Sequence, residues 1–229
     1  MEVAQRTLRR SFILMSDVTK TLKFDNGIII NYEPEEDGGG SDQYKDFLMY
    51  LKSTGKTYKH CFEWCSGLGA IGYSLLDAGI CESVTFMDVY EPSITSVLHN
   101  AKNNNMSNKV QAYHLDAVHK LPKDLIFDLV VGNPPHSPWN LNNFEGEWYR
   151  KIIDPDWKVH KEFFVNINSY LEPKSDIILS ETHTITEDLT NIAEEHNLKF
   201  VNLITADMLQ QHTDERLAGG YGVLHIYQN

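Results

Sequence analysis

His60-Cys61-Phe62-Glu63-Trp64-Cys65-Ser66-Gly67-Leu68-Gly69-Ala70-Ile71-Gly72 is the stretch whose reading decides the fold. Residues 58–62 predict a short strand, the glycines a loop, and residues 70–78 an apolar helix. Gly67, Gly69 and Gly72 keep the G-x-G-x-x-G spacing, which lets a backbone approach a nucleotide closely at a helix N-terminus. A second apolar run, Val84-Thr85-Phe86-Met87, ends at Asp88, 21 residues after Gly67. A carboxylate at that place can accept hydrogen bonds from ribose hydroxyls. The plain alternative is a glycine turn joining a strand to a helix.

The kind of nucleoside follows from what precedes the glycines. In a dinucleotide fingerprint the first glycine comes straight off an apolar strand, bringing a pyrophosphate onto the helix dipole. Here Glu63 lies four residues before Gly67, with Trp64-Cys65-Ser66 between them. Like charges in a cleft repel, so a carboxylate beside the loop suits a cationic ligand better than a diphosphate. An NAD-binding oxidoreductase is the weaker reading, because no second nucleotide-binding half is visible. Further on, Phe127-Asp128-Leu129-Val130-Val131-Gly132 reads as a buried strand and runs directly into Asn133-Pro134-Pro135-His136. Two consecutive prolines can neither continue a sheet ladder nor enter a helix interior, so the chain leaves this strand rigid and extended.

Outward from these motifs, strands and helices alternate. Residues 92–103 predict a helix with Pro92 in its first turn, and residues 110–115 a strand ending at Asp116. Residues 121–124 read as a connection and 137–154 as a loop. Residues 156–171 predict a helix and 175–180 a fifth strand. Thr186 is placed to cap a helix over 187–196, and 200–204 and 221–227 predict the last two strands, after a Gly219-Gly220 break. Such alternation gives an α/β, doubly wound, mostly parallel sheet of seven strands with an antiparallel ending.

Before the motif, residues 27–32 predict a strand, and Glu33-Pro34-Glu35-Glu36-Asp37 with Gly38-Gly39-Gly40 an acidic, flexible turn. Ser41 or Asp42 can cap a helix through Leu51, whose Tyr44, Phe47, Leu48 and Leu51 form a stripe that reads as core. The glycines also suit a hinge that folds this segment over a ligand. Residues 1–56 are thus expected to form a small extension and 57–229 the main domain.

The net charge of −12 makes the chain a poor non-specific binder of phosphate backbones. Residues 1–24 are the exception: Arg6, Arg9, Arg10, Lys20 and Lys23 stand against only Glu2 and Asp17. That arm could grip RNA or be a solvated helix face. Three cysteines, Cys61, Cys65 and Cys81, are too few for a disulfide framework and lack zinc spacing, so a reducing, cytoplasmic setting without metal is expected. No apolar run approaches membrane-spanning length, and Phe12-Ile13-Leu14-Met15 is too short for a signal-peptide core.

Glu63-x-x-x-Gly67-x-Gly69 resembles motif I of the class I S-adenosylmethionine-dependent methyltransferases. Asn133-Pro134-Pro135-His136 resembles the Asn-Pro-Pro-aromatic motif of those acting on nitrogen attached to a planar system. Together they resemble the branch of release-factor glutamine methyltransferases and amino-nitrogen methyltransferases of RNA and DNA, over residues 25–229. The resemblance implies a Rossmann-like methyltransferase fold that binds S-adenosyl-L-methionine and releases S-adenosyl-L-homocysteine. It implies that Glu63, Gly67 and Gly69, with Cys65 on the same loop, line the methionine part. Asp88 would hold the ribose, Val89 flank the adenine, and Asp116 and the Ala117 backbone meet the adenine edge. Asn133, which also borders the cofactor, would form the acceptor site with Pro134, Pro135 and His136; the Asn133 and Pro134 carbonyls would take the two N–H groups of the target. A protein glutamine amide and an exocyclic amine of an RNA or DNA base are the substrates implied.

Two departures bear on that expectation. His136 stands where the branch carries Tyr or Phe; imidazole stacks more weakly and can also hydrogen-bond. It therefore leaves open an unusual substrate, or a non-catalytic partner protein that keeps the fold. Leu171-Glu172-Pro173-Lys174-Ser175 replaces a glycine pair before the fifth strand, which touches a turn and not the chemistry. Cys65 has no His or Asp nearby in sequence, so it reads as a packed thiol rather than a nucleophile.

Overall fold

The computed structural model describes residues 19–138, 151–182, 186–205 and 221–228. The basic residues Arg6, Arg9 and Arg10, most of the expected loop at 137–154 and the Gly219-Gly220 break lie outside them. After a small hairpin, β1 (Lys20–Lys23) and β2 (Ile29–Tyr32), comes helix α1 (Gly40–Thr54). Then follow β3 (Tyr58–Trp64), α2 (Ala70–Asp77), β4 (Cys81–Asp88), α3 (Glu91–Asn103), β5 (Val110–His114) and β6 (Phe127–Gly132). The remainder is α4 (Lys158–Ile167), β7 (Leu171–Thr182), α5 (Thr186–Glu195), β8 (Leu198–Thr205) and β9 (Tyr221–Gln228).

Strands β3 to β9 form one sheet in the order β5-β4-β3-β6-β7-β9-β8. The first five of that order are parallel, and β9 runs antiparallel to both β7 and β8. This is the expected doubly wound sheet with an antiparallel ending. Both faces are covered, as a parallel sheet requires. Along the strands alternate side chains serve two cores. Cys61, Val84, Phe86, Leu129, Val131 and Ile178 meet α1, α2 and α3 on one face. Phe62, Trp64, Met87, Val130, Ile177 and Leu179 meet α4 and α5 on the other.

Several boundaries differ from expectation for local reasons. β3 runs two residues further, so Glu63 and Trp64 lie in register with Val131 and Gly132 of β6. α4 starts later than residue 156 because Asp156 (φ 57°) and Trp157 (φ 58°) take left-handed backbone conformations, and a three-residue 3-10 turn over Asn168–Tyr170 ends it. β7 starts earlier, at Leu171 opposite Phe127, with a register shift before Asp176. α1 is led in by Asp37, not Ser41 or Asp42. Its carboxylate accepts the N–H groups of Gly39 (2.9 Å) and Ser41 (3.3 Å) and the Ser41 hydroxyl (2.5 Å). Phe47 and Leu51 of the α1 stripe are fully buried in the same core as Phe24, Ile28 and Ile30.

Candidate active site

The strand order reverses between β3 and β6, and in open α/β sheets the crevice at such a switch point, beyond the carboxyl ends of the strands, is where ligands bind. The residues singled out from the sequence lie at or just beyond the carboxyl ends of four neighbouring parallel strands. Glu63 and Cys65 follow from β3, Asp88 and Val89 from β4, Asp116 and Ala117 from β5, and Asn133 to His136 from β6.

The glycine loop is held from below by two acids. Glu63, 2% exposed, accepts the Gly72 N–H of α2 at 2.6 Å. A Cβ at residue 72 would lie 2.7 Å from the same oxygen and 2.8 Å from Phe86 and Val84, so the contact needs glycine. Asp88 accepts the N–H groups of Gly67 (2.7 Å) and Tyr90 (2.8 Å), which fixes its carboxylate against the loop it was expected to face. The carboxylate keeps a lone pair for a ligand hydroxyl. Burial pushes the Glu63 carboxyl up to about 8, outweighing the N–H groups of Gly72 and Ile71, with the Asp88 charge adding to the rise. Burial also raises Asp88, against the N–H groups of Gly67, Tyr90 and Val89. Two carboxyls that resist ionisation side by side make a site that a cation would relieve.

At Gly67 the backbone is left-handed (φ 46°), and a Cβ would come within 2.8 Å of the Glu36 carbonyl. The acidic turn at 33–40 therefore lies directly on the loop. Lys151 donates to the Glu35 carbonyl, and Glu36, itself buried, accepts the Ser96 hydroxyl of α3 at 2.6 Å. The Ser66 hydroxyl is buried with no partner among the described residues. Cys65 (φ 53°) is half-buried, and burial pushes its thiol well up, as befits packing rather than nucleophilic attack. Beyond β4 and β5, Val89 is exposed, Ala117 is buried, and the exposed Asp116 is turned to Lys120 at 2.5 Å.

Beyond β6 stands Asn133. Its Nδ2 donates to the Gly38 carbonyl at 3.2 Å, which fixes the amide orientation, since that carbonyl can only accept. Its Oδ1 is buried and has no hydrogen-bond partner among the described residues. Three residues on, His136 Nδ1 lies 3.3 Å from Glu181 Oε2 at the end of β7. Glu181 Oε1 pairs with His160 Nε2 at 2.9 Å, and His160 Nδ1 with Asp154 Oδ2 at 2.6 Å. His160, Glu181 and Asp154 are wholly buried. Burial would lower His160, but the charges and hydrogen bonds of Glu181 and Asp154 outweigh it and hold the imidazolium up to about 9. Burial would raise Glu181, yet His160 and His136 bring it below its ordinary value.

Nothing in the sequence signals this chain of side chains: its members are dispersed along it and only the topology joins them. Nor did it single out Glu36 or Gln43, whose Oε1 is also buried without a partner among the described residues, and whose amide, like that of Asn133, borders Gly39. Among the described residues no three His, Cys, Asp or Glu side chains converge as a metal cage requires, and no helix is long and apolar enough to cross a membrane.

Residues 45–143 match the methyltransferase small domain family. The release factor glutamine methyltransferase of Fusobacterium nucleatum is 23% identical over 147 residues, which cover 61% of this chain. The chain spans 41% of that relative's length. A methyltransferase from Pyrococcus furiosus superposes with a TM-score of 0.63 over 99% of this chain and 97% of its own, at 13% identity. The T. thermophilus 16S rRNA N2 G1207 methyltransferase, solved with S-adenosylmethionine and guanosine, superposes with a TM-score of 0.61 at 16% identity, over 93% of this chain and 50% of its own. Residues 45–143 thus resemble a methyltransferase small domain, and the chain has a Rossmann-like methyltransferase fold.

Proposed function

We propose that this protein is an S-adenosylmethionine-dependent N-methyltransferase whose acceptor is a nitrogen joined to a planar system, a protein glutamine amide first. The observation that carries the reading is Asn133. A buried carbonyl oxygen with no partner costs free energy unless something supplies a donor, and an amide or amine N–H is such a donor. The match to the F. nucleatum enzyme supports the glutamine amide. The T. thermophilus neighbour favours the exocyclic amine of a nucleic-acid base as the second reading.

The residues present fit the cofactor. Glu63 and Asp88 are carboxyls whose ionisation burial opposes and a cation would favour, the Ser66 hydroxyl lacks a partner among the described residues, and the backbone at Gly67 leaves no room for a Cβ. Gly67, Gly69 and Cys65 would line the methionine part beside Glu63, Asp88 would take the ribose, and Val89, Asp116 and Ala117 would border the adenine. The bound cofactor supplies an electrophilic methyl group on a sulfonium. Asn133 Oδ1 and the Pro134 carbonyl would each take one N–H of the target, which aims the nitrogen lone pair along the line of transfer. That is catalysis by positioning and fixed dipoles.

The test is methyl-labelled S-adenosylmethionine with cell extract, treated with protease or with nuclease. Label that enters protease-sensitive material supports the first reading, and label in nuclease-sensitive material the second. S-adenosylhomocysteine should raise Tm and NAD should not. No transfer at all would leave a non-catalytic protein of this fold.

A further inference from the structure

A line of polar side chains along α3 grips the chain that leads into the site. Ser96, Asn100 and Asn104 recur at four-residue steps, on one face of the helix and its C-terminal end. Asn104 accepts the Ile29 N–H (3.0 Å) and donates to the Ile29 carbonyl (2.7 Å). Asn100 does the same at Asn31, at 3.0 and 2.8 Å. Both of these clamps hold the backbone of β2. The third differs, because Ser96 donates its hydroxyl to a side chain, the Glu36 carboxylate, at 2.6 Å. The other Glu36 oxygen accepts the Glu33 N–H at 3.1 Å, and the Glu36 N–H goes to the Glu33 carbonyl at 2.9 Å. An acid only 4% exposed is costly to bury unless it is held in this way.

Docking the hairpin needs only the two asparagine clamps. They do not account for the acid at Glu36, whose own carbonyl comes within 2.8 Å of where a Gly67 Cβ would stand. Two residues on, the Gly38 carbonyl accepts Asn133 Nδ2 at 3.2 Å, and Lys151 donates to the Glu35 carbonyl. Asp37, between Glu36 and Gly38, is fixed by the N–H groups of Gly39 and Ser41, so a shift at Glu36 is carried to Gly38 rather than absorbed. The turn over 33–40 therefore meets the glycine loop with one residue and Asn133 with another.

We propose that Glu36 is a positioning residue for both halves of the site. Clamped to Ser96, it seats the turn on Gly67, and through Gly38 it sets the Asn133 amide so that the oxygen is left for the target N–H. This rests on the methyltransferase reading above and adds to it what keeps the cofactor loop and the acceptor side chain in step. Such alignment matters because a displacement of about 1 Å at a reacting centre can cost about 100-fold in rate.

The test uses the full chain and reads three quantities for each variant. They are Tm, the S-adenosylhomocysteine Kd by calorimetry, and the Asn133 side-chain NH2 signals of 15N-labelled protein, assigned by their loss in Asn133→Ala. Glu36→Ala should raise Kd by about 10-fold and shift the Asn133 signals. Glu36→Gln, whose amide can still meet the Ser96 hydroxyl and the Glu33 N–H, should restore most of what Glu36→Ala loses. Ser96→Ala removes only the hydroxyl and should move Kd and the signals in the same direction, so the test stands even if Glu36→Ala does not fold. Asn104→Ala is the comparison: it removes both bonds to Ile29, so Tm should fall while Kd and the Asn133 signals hold. If Glu36→Ala and Ser96→Ala lower Tm as Asn104→Ala does, with Kd and the Asn133 signals unmoved, the proposal is overturned and the cofactor reading stands. A wild type that binds no S-adenosylhomocysteine would overturn that reading and the proposal together.

Discussion

The two edges of the central sheet use the same acids differently. At the edge where the parallel strands begin, carboxylates are matched. Asp176, 2% exposed, takes Lys56 Nζ and the Tyr58 hydroxyl, both at 2.7 Å. Asp128 takes the N–H groups of Lys59 and His60, tying β6 to β3. At the edge where those strands end, burial raises Glu63 and Asp88, and Asn133 and Ser66 present buried atoms without partners among the described residues. Unmatched polar groups cost stability. Their concentration at the switch point marks the edge that awaits a ligand, and the matched edge marks the one that holds the fold.

The contrast can be broken from either side. Asp176→Ala should destabilise the protein by about 2 to 3 kcal/mol, because it strips hydrogen bonds to a charged, buried group, and should leave the cofactor Kd unchanged. Chemical denaturation and calorimetry check both halves. Asp88→Ala should do the reverse, weakening cofactor binding by about 1.5 to 3 kcal/mol with a smaller loss of stability. Equal effects on folding and binding from both substitutions would erase the distinction between the edges.

Smaller effects sharpen it through pH. A cation beside Glu63 favours its ionised form, so S-adenosylmethionine affinity should rise with pH up to the free-protein value of about 8 and then level off. Glu63→Gln should remove that dependence and lower affinity by about 10-fold above it. Stability should move the other way. The His160 value of about 9 lies above its ordinary 6.5, so that contribution is full below 6.5 and lost as pH rises through 9. Glu63, raised from 4.5 to about 8, acts in the same sense over its own range. Tm of the ligand-free protein should therefore fall from pH 6.5 to 9, and a rising Tm would contradict both assignments.

What the sequence made legible was local: glycine spacing, strand ends, Asp88 and the double proline. These follow from chemistry within a few residues, and each lies at or beyond the carboxyl end of a parallel strand. β1 was read only as part of a basic arm, because a four-residue exposed strand shows no alternation to recognise. The left-handed backbone at Asp156 and Trp157 hid the start of α4, since neither residue type announces it. The His136–Glu181–His160–Asp154 chain was beyond reading for a different reason. Its contacts depend on β7 lying beside β6, which pairs residues 45 apart.

The central claim is that the Asn133 carbonyl receives the target nitrogen. Cofactor Kd and the single-turnover rate of label transfer to cell extract, measured side by side for wild type and Asn133→Ala, test it most directly. The account predicts a Kd unchanged within about twofold and a rate lowered by about 100-fold or more. A rate that survives the substitution would contradict it, even with the cofactor in its place.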